Sequence, residues 1–115
     1  NINIIQLCKN NINSYKYIVV SVIAPLEETR VFARKVLGEN YIEIFIKASL
    51  RKLVERDTKG LYKRALNGKL KNLIGVDTET PYETPIKPNL IINTDTQSEK
   101  KSFDKILKFI NEKIN

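Results

Sequence analysis

Most of the positive charge of this chain lies in one stretch near its middle, and charge concentrated in this way can bind phosphate. Eight lysines and arginines fall between positions 51 and 71, where only Glu55 and Asp57 oppose them. The excess of +6 is nearly the whole net charge of +7 of the 115-residue chain. The eight are Arg51, Lys52, Arg56, Lys59, Lys63, Arg64, Lys69 and Lys71. The run predicts a lid, at about residues 56–83, that closes over a phosphate-bearing ligand.

Two cations of this run, Arg56 and Lys59, are the candidates for catalysis. A phosphoryl group in transfer carries negative charge on its equatorial oxygens, and a lid brings cations to them only after the substrate has bound. On charge count alone, a solvated helix end explains both residues better. Asp57 either fixes one of the two side chains or caps a short helix after Gly60, and the sequence leaves both roles open.

The composition excludes several kinds of chemistry. The chain has no histidine and one cysteine, Cys8, so Ser-His or Cys-His catalysis, histidine-ligated metals and an internal disulfide framework are ruled out. Asp77 and Glu79 form too weak a pair to predict a metal site. No apolar run approaches the roughly 20 residues of a membrane helix, and no signal peptide is recognisable. We therefore expect no membrane partner and a reducing, cytoplasmic location.

Strand-like and helix-like segments alternate along the chain, which predicts an α/β fold with a parallel sheet. The first predicted strand is a nearly continuous run of β-branched residues, typical of a strand that is buried on both faces. The predicted strands are 18–23, 41–46 and 90–93. The predicted helices are 2–14, 25–38, the stretch after Ser49, 61–66 and the stretch after Thr96.

Two of these helices carry patterns that a structure can test. Leu26, Arg30, Ala33 and Leu37 share one face of the second helix. Thr96 and Glu99 form a capping box at the start of the last helix. An apolar stripe along that helix predicts core packing and consists of Phe103, Ile106, Leu107, Ile110 and Ile114.

Thr94 and Gln97 follow the last predicted strand directly. Ligands of open parallel sheets reach the carboxyl ends of the strands, so these two residues are candidates for contacting a nucleotide cofactor. They serve equally well as residues that lead into the last helix, and both roles stay open.

Five strings, in this order and spacing, resemble the adenylylsulfate kinases over almost the whole chain. The most specific of them is ERDTKGLYKRA at 55–65. The others are VIAP at 22–25, YIEIFI at 41–46, PYETP at 81–85 and LIINT at 90–94. The resemblance implies a three-layer P-loop kinase fold with a parallel sheet. It also implies transfer of the γ-phosphoryl group of ATP to the 3′-hydroxyl of adenylylsulfate, with Mg²⁺, in sulfate activation.

The resemblance assigns roles to individual residues. It implies that 56–83 is the lid, that Lys59 contacts the sulfonucleotide and that Ile23 and Ala24 line the same nucleotide. With the family string included, we favour Arg56 and Lys59 as lid cations, Arg56 also reaching the ATP phosphates. Leu73 stands where the family has a phenylalanine that stacks on the substrate base. Asn72 enters the substrate site only as its neighbour and is otherwise a solvated turn residue.

One departure from the family concerns the phosphate loop. The string GxxxxGK followed by Ser or Thr does not occur in this sequence, although its backbone amides and lysine hold the phosphates in such kinases. By resemblance, residues 1–115 form the C-terminal part of one kinase domain whose phosphate loop and central strand lie elsewhere. We expect an incomplete sheet with an unpaired apolar edge. We also expect ATP and Mg²⁺ to be bound mainly outside this segment, which alone would be inactive.

Other departures leave the acceptor open. Leu73, Ile74 and Gly75 replace the family's Phe-Thr-Gly, and Ala24 replaces a serine. The same transfer onto a cytidine nucleotide, such as cytidine diphosphoramidate in capsule biosynthesis, is the alternative reaction. A non-catalytic anion-binding module is the alternative class, but the basic run lacks aromatic interleaving beyond Tyr62, so we do not expect nucleic acid as a partner. The resemblance also implies a homodimer.

Overall fold

The computed structural model describes residues 1–57, 59–68, 73–74 and 81–114. The chain divides into two compact units. The first unit consists of Asn1–Ile42 with Tyr82–Ile86, and the second of Glu43–Pro81 with Lys87–Asn115. Within the described part of the chain, no helix is both long and apolar enough to cross a membrane.

The first unit is built on two packed helices, α1 (Ile2–Asn11) and α2 (Glu27–Leu37), followed by a 3-10 turn at Gly38–Asn40. Ile5 of α1 and Ala33 of α2 are buried. Glu27 and Glu28 occupy the first turn of α2, where acidic side chains favour the positive end of the helix dipole. Gly38, at φ +59°, ends α2 as its sequence position predicts.

The strand predicted at 18–23 is wrong for this structure, which assigns no strand there. Its side chains are exposed, Val19 to 85% and Ile23 to 61%. A strand exists only when its backbone groups pair with a neighbouring strand. Among the described residues, no backbone hydrogen bond joins 18–23 to another segment. The apolar pattern indicated burial on both faces. Burial also requires neighbouring segments that cover the strand, and the pattern does not identify them.

The second unit contains a two-stranded parallel sheet, which confirms the α/β class. Strand β1 (Ile44–Lys47) pairs with β2 (Leu90–Asn93), Ile44 lying opposite Leu90 and Lys47 opposite Asn93. Ile92 of β2 is fully buried. The described residues of this unit also form the helices α3 (Leu50–Glu55), α4 (Leu61–Leu66) and α5 (Glu99–Ile114).

Two predictions about α5 differ from the structure. Ser98, rather than Thr96, caps the helix, because its hydroxyl accepts the backbone N–H of Lys101 at 3.1 Å. Thr96 instead donates to the carbonyl of Asn93, in the turn that follows β2. The apolar stripe also remains partly uncovered, with Phe103 exposed to 61% and Leu107 to 45%, so core packing of the whole stripe is wrong for this structure.

Candidate functional site

The carboxyl ends of β1 and β2 are tied together by Thr94. Its backbone N–H and its hydroxyl both donate to the carbonyl oxygen of Lys47, each at 2.8 Å. Because parallel strands end at the same edge of a sheet, Thr94 lies where ligands of such sheets bind. We call Ser49, Arg56, Thr94 and Asp95 the strand-tip cluster.

Arg56 contacts Thr94 twice, although the two residues lie 38 positions apart in the sequence. Its Nη1 donates to the Thr94 hydroxyl at 3.0 Å, and its Nη2 donates to the Thr94 carbonyl at 2.6 Å. The residue is nevertheless exposed. A guanidinium group has five N–H donors, so these bonds hold Arg56 at the strand tips and leave donors over for a phosphate.

Asp95 joins the strand-tip cluster to the start of α3. Its carboxylate accepts the backbone N–H of Ser49 at 3.0 Å, and the hydroxyl of Ser49 caps α3 by accepting the N–H of Lys52 at 3.2 Å. The pKa of Asp95 lies below its ordinary value, first because of the Ser49 backbone N–H. The Ser49 hydroxyl and then the charges of Arg56 and Lys52 lower it further. Asp95 is therefore a fixed negative charge at this edge.

Asp57 caps α4, which decides between the two roles that the sequence left open. Its carboxylate accepts the backbone N–H groups of the first three helical residues, at 3.0, 2.8 and 3.3 Å. Gly60 precedes the helix at φ +69°, in the left-handed region that glycine adopts without strain. Lys59 is exposed in the turn between Asp57 and Gly60. The cap thus ties Asp57, which precedes the lysine, to the helix that follows it.

Gln97 carries a buried side-chain oxygen. Its Oε1 has no hydrogen-bond partner within the described part of the chain, while its backbone N–H donates to the carbonyl of Asn93 at 3.2 Å. A buried acceptor without a partner costs free energy unless a ligand or water satisfies it. Of the two residues predicted after β2, Gln97 therefore keeps an unused acceptor, whereas the hydroxyl of Thr94 already makes two hydrogen bonds.

The first unit holds a second cluster, centred on Arg30 and made with Ala24, Glu27, Tyr82 and Glu83; we call it the Arg30 cluster. The guanidinium forms an ion pair with the Glu27 carboxylate, Nη2 to Oε2, at 2.6 Å. It also donates to the carbonyl oxygens of Ala24 and Glu83 and lies 5.8 Å from the centre of the Tyr82 ring. Arg30 is only 5% exposed.

Ala24, one of the predicted substrate-lining residues, has φ +44°. Positive φ costs a residue with a Cβ roughly 1–2 kcal/mol, so neighbouring contacts must hold this conformation. Ile23 beside it is exposed. Sequence reasoning named Ala24 and Ile23 but missed Arg30 as their support. The available signal was a charged residue on the otherwise apolar face of α2.

The structure shows less about the other residues that the sequence predicted for the site. Leu73 is half-buried. Asn72 lies outside the described residues, as do Lys69, Lys71, Asp77 and Glu79 of the basic run and its continuation. In the described ranges, no group of three or more Asp, Glu, His or Cys residues could hold a metal ion.

A parallel sheet with a helix packed on it, and polar groups at its strand tips, fits part of a P-loop kinase fold. A solved structure shares that fold: the APS kinase of Mycobacterium tuberculosis in complex with AMPPNP and APS. The match has a TM-score of 0.65 and 30% identity, and covers 78% of this chain and 52% of that one. The family model for adenylylsulphate kinase matches residues 1–93. The chain belongs to the adenylylsulphate kinase family.

Two curated relatives agree with this assignment. The adenylyl-sulfate kinase of Clostridium kluyveri is 33% identical over 109 residues, which cover 95% of this chain and 54% of the relative. The adenylyl-sulfate kinase of Clostridium acetobutylicum is 38% identical over 92 residues, which cover 80% and 45%. The chain therefore spans about half the length of the curated relatives that it matches.

Proposed function

We propose that the protein containing this chain transfers the γ-phosphoryl group of ATP to the 3′-hydroxyl of adenylylsulfate. The observation that carries this proposal is the likeness in both sequence and fold to a kinase solved with AMPPNP and APS together. The strand-tip cluster supports it, because polar groups at the carboxyl ends of parallel strands are where nucleotide ligands bind in such sheets.

In this proposal residues 1–115 are the C-terminal part of the kinase domain, with the lid at about 56–83. The chain supplies the acceptor wall and the lid cations. The triphosphate is bound mainly by a phosphate loop outside this segment, so the segment alone is inactive. The apolar stretch 18–23 then pairs with a strand of the remaining part of the domain, which would cover side chains that are exposed here.

The lid residues divide the work between them. Lys59 brings one positive charge to the acceptor nucleotide and to the oxygens of the phosphoryl group in transfer, where negative charge develops. Arg56 holds the start of the lid at Thr94 and contacts the phosphates of ATP through its remaining donors. Gln97 offers its Oε1 to an N–H group of the bound nucleotide. Asp57 contributes by capping α4, the helix that follows Lys59.

The Mg²⁺ ion implied by the resemblance finds no fitting site among the described residues. Mg²⁺ prefers carboxylate and phosphate oxygens in octahedral geometry, and the described residues contain no group of three carboxylates. Asp95, the carboxylate at the strand tips, is already bonded to Ser49. No step of the transfer is therefore assigned to Mg²⁺ in this chain.

A cytidine nucleotide is the second candidate acceptor. Half-buried Leu73 stands where the resemblance places the aromatic wall for the substrate base, and an aliphatic side chain offers packing area without a π-face. A smaller base than adenine would need a different wall. Turnover of adenylylsulfate and of cytidine diphosphoramidate by the same full-length protein separates the two, and strong preference for adenylylsulfate removes the cytidine alternative.

The lid assignment is tested by Lys59→Ala in the full-length protein, with Lys63→Ala as the matched control. Both side chains are exposed lysines of the same basic run. We expect Lys59→Ala to lower kcat/KM for adenylylsulfate about 100-fold or more, and Lys63→Ala to change it less than threefold. Melting temperatures of both variants should stay close to that of the parent.

Four outcomes contradict proposals made for this protein, which include a homodimer and a cytoplasmic location. Equal kinetics for the two alanine variants would remove Lys59 from the lid chemistry. A parent protein that binds no ATP but binds single-stranded DNA in a salt-dependent way would favour the anion-binding module over the kinase. Light scattering tests the homodimer, and cell fractionation tests the cytoplasmic location; a monomer or a membrane-associated protein would contradict these two proposals.

A further inference from the structure

Arg30 has a different environment from the other basic residues of the first unit. It is 5% exposed, although arginine rarely lies so deep unless it is paired. Its Nε and Nη2 both contact Oε2 of Glu27, at 2.8 and 2.6 Å. The same guanidinium reaches two backbone carbonyls, those of Ala24 and Glu83. Three separate points of the first unit are thus held by one planar group.

One of these points is strained. Ala24 has φ +44° and precedes Pro25, and a residue before proline normally adopts the extended region instead. Such a conformation persists only when surrounding contacts over-determine it, and it is often found where a ligand binds. The bond from Arg30 to the Ala24 carbonyl is a contact of this kind. It fixes the Ala24–Pro25 peptide, next to the exposed residue Ile23.

Another point is Glu83, the C-terminal end of the predicted lid. The backbone N–H of Glu83 donates to the carbonyl of Pro25 at 2.8 Å, and its Oε1 accepts the N–H of Glu27 at 2.8 Å. Arg30 closes this arrangement by donating to the Glu83 carbonyl. The residues after Ala24 and the C-terminal end of the predicted lid are therefore joined at one arginine.

We propose that Arg30 is a positioning residue for the acceptor nucleotide. It holds the wall formed by Ile23 and Ala24, and the end of the lid at Glu83, in the geometry that binds the acceptor. This inference rests on the proposed kinase function, because that function supplies the acceptor nucleotide that the wall would bind. Lysine cannot replace arginine here, since one ammonium group does not reproduce the planar fork that bonds to several acceptors at once.

The test compares Arg30→Lys with Lys35→Met in the full-length protein. Lys35 is an exposed residue of the same helix, α2. We expect Arg30→Lys to raise KM for adenylylsulfate about tenfold or more, while KM for ATP changes less than twofold. Amide hydrogen exchange at Glu27 and Glu83 should become faster in Arg30→Lys. Lys35→Met should leave both KM values, and the rates of amide hydrogen exchange at Glu27 and Glu83, as they are in the parent.

A double-mutant cycle tests the link to Ala24. Glycine adopts positive φ without cost, so it does not need Arg30 to hold it there. The rise in KM for adenylylsulfate caused by Arg30→Lys should therefore be smaller in an Ala24→Gly background than in the parent. An equal rise in both backgrounds would overturn the proposal that Arg30 acts through Ala24.

The other outcomes are also decisive. A folded Arg30→Lys protein with unchanged KM for adenylylsulfate, or with equal rises in both KM values, overturns the positioning role alone. A parent protein that does not phosphorylate adenylylsulfate overturns the proposed function, and the acceptor role of Arg30 with it. If Arg30→Lys does not fold, Glu27→Gln replaces it, because this variant weakens the hold on Arg30 and keeps the arginine. The acceptor KM should then rise about threefold, and an unchanged value counts against the proposal.

Discussion

The two described clusters use the same side chain in opposite surroundings. Arg30 in the first unit and Arg56 in the second both donate to backbone carbonyls far along the chain. The Arg30 side chain is 6% exposed and paired with Glu27, whereas Arg56 is exposed. A buried guanidinium has lost its water and depends on every partner. An exposed one can exchange a protein partner for water at little cost.

This difference separates a fixed part of the molecule from an adjustable one. The Arg30 cluster can hold a strained residue such as Ala24, because leaving the arrangement would strand a buried charge. The bonds from Arg56 to Thr94 can be exchanged for bonds to water without such a penalty. The comparison predicts that equivalent substitutions at the two arginines have unequal effects on stability.

The largest effect is expected for Arg30→Met, which keeps a long side chain but removes all its donors. Glu27 and two backbone carbonyls then lose their partner in a part-buried environment, so the free energy of unfolding should fall by about 3 kcal/mol. Urea unfolding of the full-length protein measures it. Arg51→Met is the control, since the Arg51 side chain is 77% exposed and lies 3.9 Å from Glu55. A loss below about 1 kcal/mol for Arg30→Met would show that Arg30 holds nothing essential to stability.

A smaller effect is expected for Arg56→Met. Two hydrogen bonds to Thr94 are lost, but solvent reaches both sides of the contact, so the free energy of unfolding should fall by about 1 kcal/mol. Thr94 keeps its own bonds to Lys47, and the strand tips therefore stay joined. The measurement is the same urea titration. A loss as large as that of Arg30→Met would abolish the contrast and make the strand-tip cluster equally rigid.

Local features of this fold could be predicted from the sequence. Helix α2 ends at Gly38, and α3 is capped by Ser49, because a glycine or a hydroxyl acts on the residues next to it. The strand-helix alternation also predicted the parallel orientation of the sheet, but not that 44–47 pairs with 90–93. The alternation does not say whether a third strand finds neighbours, and 18–23 is not a strand in the structure.

The site was predicted less completely, because its contacts join distant positions. The bond from Arg56 to Thr94 spans 38 residues, and that from Arg30 to Glu83 spans 53. No local pattern encodes such a partner. Arg30 could have been noticed as a charge on the apolar face of α2. Its role, however, depends on the contact with Glu83, which the sequence does not predict. Asp57 is the exception, because its partners lie four to six residues ahead.

The smallest expected effect concerns Asp95 and depends on pH. The pKa of Asp95 is lowered in the folded protein, first by the backbone N–H of Ser49. A carboxyl with a lowered folded-state pKa stabilises the protein above its ordinary unfolded-state pKa. That contribution disappears as the pH falls through the lower folded-state value. The difference in melting temperature between the parent and Asp95→Asn should therefore shrink towards acidic pH.

Ser49→Ala separates the two contributions of Ser49 to this effect. It removes the hydroxyl, which caps α3 and bonds to Asp95, but keeps the backbone N–H that is the larger cause of the lowered pKa. The variant should melt at a lower temperature at every pH, because a helix cap is lost, yet retain most of the acid dependence due to Asp95. If Ser49→Ala loses that dependence entirely, the hydroxyl and not the backbone fixes Asp95. The strand-tip cluster would then rely on an exchangeable side chain at this position, as it does at Arg56.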